Sequence, residues 1–303
     1  MWEYPPKKMW HTLPPDVLDA VLLLIDDVEV CACVSLSMRD AVRVHLAPTR
    51  VRVGDCVARA LARARPGATL AFDAGHHHVE GALYVHARVR LVSLRGDDPG
   101  DCAVLVSRVN ALLRASAPLR VEHMTLCCAG MALCHNAAVV HQLAGSLVLH
   151  HCTVTYSSPE ESVGVIQPTA GVWVSPKACV HLVRCSVHAC MGPALRIEGG
   201  TVLAEDSTLA HSVRGSNVVA RGGVLQLHRC RIHSAAGDGI SLWYNVCALL
   251  DSNQIFENGR TGIACHENTH ARIQRNSLRG NRGGSFSLGS CRSVTLHNNT
   301  ILH

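Results

Sequence analysis

The chain has 303 residues, 48% of them hydrophobic, and a formal net charge of +5. This length and apolar content allow a large core and one to three domains. The longest apolar run, residues 17–25, contains Asp19 and is too short to span a bilayer. The first ten residues carry charges and prolines without an apolar stretch and cleavage site after them, so no signal peptide is predicted.

The cysteine content bears on the cellular compartment. The sequence holds 15 Cys, and a cysteine-rich chain without an export signal is typical of an intracellular protein with reduced thiols. We therefore expect a cytoplasmic or nuclear protein that does not contact membranes. Aromatic residues make up only 4% of the chain and no long basic run occurs, which argues against nucleic-acid binding.

Residues 11–46 are predicted to be a separate helical segment. The run Leu13–Leu18 begins a helix, since proline is accepted in a first turn. Apolar residues continue to Leu22 and Ile25, Asp26-Asp27 interrupts them, and a second helix occupies residues 28–39. A segment this short cannot bury a core alone, so its helices must pack on the rest of the chain or on a partner.

The order of these motifs resembles the F-box family. The positions that fall on the family pattern are Leu13, Pro14, Asp16, Leu18, Leu22, Ile25, Asp27, Val34, Ser35 and Arg39. The resemblance implies docking onto the Skp-family adaptor of a cullin–RING (SCF-type) ubiquitin ligase. The residues then expected to contact the adaptor are Leu13, Pro14, Leu18, Leu22, Ile25 and Val34. The alternative is that these helices only cap or support the rest of the chain.

A short helix and a strand follow this segment. Asp55 is placed to cap a helix that runs to about Arg65, and Pro66-Gly67 ends it. Residues 68–72 alternate as a strand. A helix at this point covers the exposed end of a stack of coils, as terminal caps do in repeat proteins.

A repeat fills the last two thirds of the chain. An apolar residue is followed by a second at +2, a small or polar residue at +5 and a third apolar residue at +7. The repeats start at Leu119, Leu147, Val180, Val202, Leu225, Ala248, Ala271 and Val294. Successive starts lie 28, 33, 22, 23, 23, 23 and 23 residues apart, and a period this regular indicates a solenoid.

The columns of the repeat predict how the coils stack. The +5 column, read as a structural ladder at a corner, is Met124, Cys152, Cys185, Ser207, Cys230, Asn253, Asn276 and Asn299. Asparagine amides hydrogen-bond along such ladders, and asparagine tolerates the left-handed backbone of tight corners. A second strand begins nine residues before a start, as in Gly239–Leu242 and Gly262–Cys265.

Three short strands and about 23 residues per coil resemble the right-handed parallel β-helix of pectin-lyase-like proteins; the spacing does not fit leucine-rich repeats. We divide the chain into an F-box-like helical segment (1–50), a linker and capping helix (51–67) and the β-helix (68–303). The fold class is mainly β with a small α-helical segment before it. The repeat runs to His303 without a capping sequence, so we expect further coils beyond it.

The residues of the repeat do not form a recognisable catalytic cluster. Glycoside hydrolases need paired carboxylates, and the candidates Asp206, Asp238 and Asp251 are interpreted as solvated carboxylates. His76–His78 alternate between the two faces of a strand, which separates potential metal ligands. The cysteines match no zinc spacing. We therefore predict no catalytic, cofactor-binding or metal-binding residues.

The leading functional hypothesis is a non-catalytic substrate-recognition subunit, with an F-box for the adaptor and a β-helix for an unknown target protein. The alternatives are a carbohydrate-binding or polysaccharide-modifying β-helix protein and a scaffold without ligase contact. Insertions at Ala129–Gly145 and Ser157–Thr169 are the predicted partner contacts, because specific contacts concentrate on loops. The arginines of the last coils, Arg260, Arg272, Arg275, Arg279, Arg282 and Arg292, form a basic patch suited to an acidic partner.

Overall fold

In the computed structural model, the chain winds into a parallel β-helix whose coils have three walls. The structure describes residues 47–94, 101–109, 111–129, 137–157 and 169–302. The F-box-like positions between Leu13 and Arg39 therefore lie outside the described residues. No helix in the described ranges is long and apolar enough to cross a membrane.

Each wall is a stack of parallel strands. The first wall contains β1 (Thr49–Val51), β2 (Ala68–Phe72), β5 (Val89–Ser93), β8 (Leu119–Glu122), the second halves of β10 (Ala138–His150) and β12 (Ala170–Val183), β15 (Thr201–Glu205), β18 (Val224–His228), β21 (Cys247–Asp251), β24 (His270–Gln274) and β27 (Ser293–His297). The second wall contains β3 (Gly75–Val79), β6 (Ala103–Ser107), β9 (Met124–Cys128), β11 (Thr153–Tyr156), β13 (Ser186–His188), β16 (Thr208–Ala210), β19 (Arg231–His233), β22 (Gln254–Phe256), β25 (Ser277–Arg279) and β28 (Thr300–Leu302). The third wall contains β4 (Leu83–Val85), β7 (Ala111–Ala115), the first halves of β10 and β12, β14 (Leu195–Glu198), β17 (Val218–Arg221), β20 (Ile240–Trp243), β23 (Ile263–Cys265) and β26 (Phe286–Leu288).

The alternating apolar residues of the repeat fill the inside of the coils. Leu225, Leu227 and Ile232 come from one coil and are fully buried. Their register partners in neighbouring coils, such as Leu250 and Ile255, are buried in the same columns. Burying a side chain of this size contributes roughly 1.5–3 kcal/mol. The predicted mainly β solenoid is confirmed for the described residues.

The +5 side chains point into the coil and bond from one coil to the next. The Asn253 Nδ2 atom donates to Asn276 Oδ1 at 3.0 Å, and Asn276 Nδ2 donates to Asn299 Oδ1 at 3.0 Å. The same Oδ1 of Asn276 accepts the Asn253 backbone N–H at 2.9 Å. A second ladder lies at the next corner, where Asn258 Nδ2 donates to Asn281 Oδ1 at 2.8 Å. At the corners the chain bends away from the strands, so backbone groups there lose strand partners. The ladder amides provide hydrogen-bond partners for these groups.

The residue with a left-handed backbone at this corner is the one at +4, just before the ladder residue at +5. We expected the ladder asparagine itself to take this conformation. All eight residues at +4 have φ between 49° and 58°: His123, His151, Arg184, Asp206, Arg229, Ser252, Arg275 and Asn298. None is glycine, although this backbone is unfavourable by roughly 1–2 kcal/mol for other L-residues. Asparagine occupies the +5 column because its amide fits inside the coil, where it has hydrogen-bond partners.

The capping helix is shorter than predicted and begins differently. Helix α1 covers Val57–Arg63, and its N-cap is Cys56, which makes no side-chain cap. The predicted cap, Asp55, instead accepts a hydrogen bond from the Arg52 backbone N–H at 2.7 Å and closes the turn before the helix. Val57 is buried against the core, so the helix is held by packing.

Two strands are longer than the sequence pattern suggests. Strands β10 and β12 pass from the third wall into the first without a break, with one register irregularity between Gln142 and Ala144. The predicted loop Ala129–Gly145 was therefore wrong from Ala138 onward, because those residues pair with both neighbouring coils. Residues 130–136 and 158–168 of the two insertions lie outside the described ranges.

Replacing Asn276 by Ala tests the ladder. The change removes the donor to the Leu250 carbonyl and the acceptor for the Asn253 N–H, both buried. We expect the free energy of unfolding to fall by about 3 kcal/mol, since each orphaned buried group costs about 1–3 kcal/mol. Chemical denaturation measures the loss. The exposed Gln254→Ala variant is the control, and an equal loss in both variants would contradict the ladder's role.

Candidate functional site

The outer side of the third wall collects aromatic side chains. Tyr84, Trp173 and Trp243 all project from it, and Tyr244 follows at its edge. In the described residues the other aromatic rings lie in the core or on the second wall, as do Phe72 and Phe256. We call this surface the aromatic wall and define it by Tyr84, Arg114, His141, Trp173, Arg196, Glu198, Arg221, Trp243 and His266.

Three planar side chains stack along the aromatic wall, and Arg114 adjoins them in the strand register. Strand register places His141 beside Arg114 on one side and beside Trp173 on the other, with Arg196 next to Trp173. The His141 and Trp173 rings are 4.4 Å apart between centroids and 8° from parallel. The Arg196 guanidinium carbon lies 4.3 Å from the Trp173 ring centroid. Coils spaced about 4.8 Å apart bring such rings into contact without further adjustment.

Three nitrogen atoms in this stack are buried and have no hydrogen-bond partner. They are Arg114 Nε, His141 Nδ1 and Trp173 Nε1. The other imidazole nitrogen, His141 Nε2, shares a hydrogen bond with Ser175 Oγ at 3.0 Å. Trp173 is 9% exposed and packs with Ala138 and Ala170 outside the main core. Unpaired buried polar groups are uncommon in folded proteins, so three in adjacent coils mark a site.

The stack carries excess positive charge. Burial and the charges of Arg114 and Arg196 lower the pKa of His141 to about 4, so its imidazole is neutral at pH 7. Glu198 accepts a hydrogen bond from Arg196 Nε at 2.9 Å and lies 3.8 Å from Arg221 Nη1. Arg114 has no carboxylate within ion-pair distance in the described ranges.

A second stacked pair lies farther along the aromatic wall. The Trp243 and His266 rings are 3.7 Å apart between centroids and 16° from parallel. Trp243 Nε1 donates to Ser241 Oγ at 2.7 Å, so this indole differs from Trp173 in having a partner. Strand register puts Trp173 and Ser241 three coils apart, roughly 14 Å along the axis. Arg196, Glu198 and Arg221 occupy the space between the two pairs.

The acidic residues considered for acid–base chemistry are all engaged. Asp206 accepts two hydrogen bonds from Arg229, at 2.7 and 3.0 Å, and Asp251 is paired with Arg275. Asp238 is buried and accepts from the Thr261 backbone N–H at 3.1 Å. The expectation of a solvated carboxylate was therefore wrong for Asp238, which is buried, whereas Asp206 is exposed and Asp251 is half-buried.

These contacts change the acidity of the paired groups. The hydrogen bond from Arg229 lowers the pKa of Asp206. Burial opposes ionisation of Asp251, but hydrogen bonds from Arg275, Ser252 and Gln274 outweigh it and lower the pKa of that carboxyl. A carboxyl group with a lowered pKa is a poor general acid near neutral pH. In the described ranges, no group of three or more His, Cys, Asp or Glu side chains is arranged to hold a metal ion.

Arginines of the last coils separate into different environments. Arg275 pairs with Asp251, and Arg272 bonds to Gln274. Arg279 and Arg231 lie over the Phe256 ring on the second wall, with guanidinium carbons 5.0 and 5.7 Å from its centroid. The predicted single basic patch is thus divided between two walls of the solenoid.

The aromatic wall was not identified from the sequence, although a signal was present. Trp173 and Trp243 both fall in the second strand of a repeat at outward positions: Trp173 lies between the buried Val172 and Val174, and Trp243 follows the buried Leu242. Assigning inward and outward positions in that strand would have placed both rings on one surface. The unpaired nitrogen atoms have no sequence signal, because they depend on the packing of three coils.

Comparisons with known proteins bear on the fold. Residues 170–303 match the family described as "Right handed beta helix region", which is under half of the chain. The solved structure of the Geobacillus virus E2 protein ORF18 is similar with a TM-score of 0.55 at 10% identity, covering 90% of this chain and 65% of that one. The alginate lyase AlyGC of the PL6 family gives a TM-score of 0.51 at 12% identity, covering 84% of this chain and 39% of that one.

The chain thus spans less than two thirds of either of these two proteins. No curated protein sequence matches it. At these identities the two structures establish a shared architecture and nothing about activity. Together with the strand register, they assign the described residues to the right-handed parallel β-helix fold.

The lowered pKa of His141 predicts a dependence of stability on pH. Between about pH 6.5 and 4 the unfolded chain binds a proton at this residue and the folded chain does not, so stability falls as pH falls. We expect His141 to account for a loss of about 2 kcal/mol from pH 7 to 4, allowing for its partial exposure. Denaturation of wild type and His141→Gln at both pH values measures this difference.

The exposed His270, on the first wall, provides the control for that experiment. His270→Gln should keep the pH dependence of the wild type, whereas His141→Gln should flatten it. An unchanged pH dependence in His141→Gln would show that the imidazole is protonated in the folded protein.

Proposed function

We propose that this protein binds an extended glycan along the aromatic wall. The observation that carries the proposal is the pair of stacks on this wall, with His141, Trp173 and Arg196 in one and Trp243 and His266 in the other. Tyr84 and Tyr244 on the same wall are 55% and 50% exposed, and Arg221 between the stacks is exposed. The wall therefore also presents ring faces and a guanidinium group to solvent.

An oxygen-rich polymer suits such a surface better than a typical protein partner does. Protein interfaces derive most of their energy from apolar and aromatic anchors in desolvated pockets. The aromatic wall instead offers the charged group of Arg196, Glu198 and Arg221 between its two aromatic pairs. A glycan presents hydroxyl and ring oxygens at each sugar unit, so successive units meet successive coils.

The proposed activity is binding without cleavage. Hydrolysis of a glycosidic bond needs one carboxyl group to act as an acid and another as a base or nucleophile. On the aromatic wall, Glu198 lies between Arg196 and Arg221; on the first wall and at its corner, Asp251 and Asp206 are also paired with arginines. The lowered pKa values of Asp206 and Asp251 keep these two carboxylates ionised near neutral pH.

Glycan binding should depend on the side chains between and within the stacked pairs. We expect Trp243→Ala and Arg221→Ala each to weaken binding at least ten-fold, about 1.4 kcal/mol. Affinity electrophoresis in gels containing neutral or acidic polysaccharides measures retardation, and size-exclusion chromatography of the incubated polysaccharide tests for cleavage.

The matched control for that experiment is Arg272→Ala, which removes an exposed arginine from the first wall. It should bind like the wild type. Wild-type protein that is retarded by none of the polysaccharides, or Trp243→Ala protein that is retarded normally, would refute the proposal. Shortening of the polysaccharide would replace binding with catalysis as the function.

A second function, recruitment of a ubiquitin ligase, is favoured by one specific observation in the sequence. Residues 13–18 read Leu-Pro-Pro-Asp-Val-Leu, and apolar positions continue at Leu22, Ile25 and Val34. We propose on this ground that residues 1–50 bind a Skp-family adaptor, with the β-helix carrying the recognised ligand. The two functions are compatible, since they use different parts of the chain.

Adaptor binding is tested by a pull-down with purified Skp-family adaptor. Wild-type protein should be retained, and the double variant Leu18→Asp plus Leu22→Asp should be lost, since two charges would enter an apolar contact. The wall variant Arg221→Ala should be retained as well as the wild type. Failure of the wild type to bind the adaptor would exclude this second function while leaving glycan binding untouched.

A further inference from the structure

Two free cysteines from adjacent coils are in direct contact near the end of the described chain. Cys265 is the last residue of β23, and Cys291 lies between β26 and β27. The Cys291 Sγ atom donates a hydrogen bond to the Cys265 carbonyl oxygen at 3.3 Å, and the two thiols also interact with each other. The contact joins residues that are 26 positions apart in the chain.

The backbone holds this contact in place. Strand register pairs Cys265 with Leu288 of the next coil. The Gly289 N–H donates to the Cys265 carbonyl oxygen at 2.8 Å, and the Cys291 N–H donates to the Gly289 carbonyl oxygen at 2.7 Å, so a tight turn brings Cys291 back over Cys265. Adjacent coils are spaced about 4.8 Å apart, which is within the range of about 4.4–6.8 Å between Cα atoms that disulfides span.

The two thiols differ in their access to solvent. Cys265 is 0% exposed, and burial together with the neighbouring Cys291 thiol raises the pKa of Cys265 to about 12. Cys291 is only half-buried, so a small reagent can reach it. Since the thiolate is the reactive form and must be accessible, Cys291 is suited to react first and Cys265 to resolve the product.

From this geometry we propose that Cys265 and Cys291 are a site of reversible thiol oxidation, forming a disulfide between adjacent coils when the protein meets a small disulfide such as oxidised glutathione. The Cys291 thiolate attacks one sulfur of oxidised glutathione, forms a mixed disulfide and releases one glutathione thiolate. Cys265 then loses its proton to solvent and attacks Cys291 Sγ, which releases the second glutathione. The two cysteines lose two electrons and two protons, and glutathione disulfide is reduced to two thiols.

A second thiol pair provides an internal comparison. Cys152 and Cys185 are neighbours in the +5 ladder, and their thiols also interact. They are 2% and 3% exposed, so neither thiol can start the exchange. We expect this pair to stay reduced under conditions that oxidise Cys265 and Cys291.

The disulfide would connect two coils at the edge of the aromatic wall. His266 follows Cys265 directly, and its ring stacks on Trp243 with 3.7 Å between centroids. A Cβ atom at Gly289 would lie 3.9 Å from His266 Nδ1, so the turn that carries Cys291 packs beside this pair. Oxidation should therefore change Trp243 fluorescence. An effect on glycan binding rests on the proposed function, whereas formation of the disulfide does not.

The test oxidises the folded full-length protein and maps its cysteines. Wild-type protein is incubated with mixtures of reduced and oxidised glutathione, unfolded in the presence of an alkylating reagent and digested with trypsin. Cleavage after arginine places Cys265 in the peptide 261–272 and Cys291 in the peptide 283–292, with no other cysteine in either. We expect mass spectrometry to find these two peptides joined after oxidation and separate after treatment with dithiothreitol.

Two variants and a stability measurement complete the test. Cys291→Ser should abolish the joined peptides, whereas the matched control Cys247→Ser, which removes an exposed thiol from the first wall, should form them like the wild type. In chemical denaturation, oxidation should raise the folding equilibrium constant of the wild type at least ten-fold, because the disulfide restricts the unfolded chain. It should leave that of Cys291→Ser unchanged.

Three results would overturn the proposal. They are a glutathione adduct on Cys291 without joined peptides, no modification of either cysteine, and joining of Cys291 to several other cysteines. Because the wild type is oxidised in its folded state, none of these results depends on whether a variant folds. None involves a glycan, so glycan binding would stand or fall separately.

Discussion

The register of the parallel strands is the constraint on which the whole molecule depends. Each strand pairs with the corresponding strand of the next coil, so residues with the same position in the repeat form columns along the axis. A column repeats its chemistry at about 4.8 Å. Leucine and isoleucine columns make the core, and asparagine columns hold the corners. One backbone constraint thus sets both the packing and the polar network.

The same constraint creates the aromatic wall. On a globular surface, stacking three planar side chains would require three separately positioned elements. Here His141, Trp173 and Arg196 stack because they share a column on β10, β12 and β14, and Arg114 on β7 is the next residue of that column. The stacking also has a desolvation cost that the side chains share, because neighbouring rings cover their nitrogen atoms and exclude water from them. This is why the unpaired atoms occur as a group.

Much of the fold could be predicted from the sequence because the core is periodic. The repeat starts and the second strands follow from apolar alternation, which burial enforces in every coil. The corner geometry could not be predicted, since Arg184 and Arg229 are not residues associated with a left-handed backbone. Their conformation is imposed by the strands on either side. Likewise, the position of Asp55 in the sequence is typical of a helix N-cap, but its carboxylate accepts a hydrogen bond from the Arg52 backbone N–H instead.

The candidate site was harder to predict than the core for a physical reason. Its residues have no common chemistry, and only their shared outward position relates them. The long strands β10 and β12 add to the difficulty, because the segment from Ala138 to Gly145 looks like an insertion in the spacing. Three-dimensional neighbours such as His141 and Trp173 are 32 positions apart in the chain, a distance that differs from the regular period.

The left-handed corner column has a consequence for how this surface can vary. The backbone conformation at +4 is imposed by the strands on either side, and most of the side chains there point to solvent. The identity of the residue therefore hardly affects the core. The +4 column carries Arg184, Asp206 and Arg229 in three successive coils. Their charges alternate in sign, and Arg229 donates a hydrogen bond to Asp206 along the axis. Mutation can therefore change the electrostatic profile of one edge coil by coil. Surface charge along that edge is thus decoupled from the packing that holds the fold together.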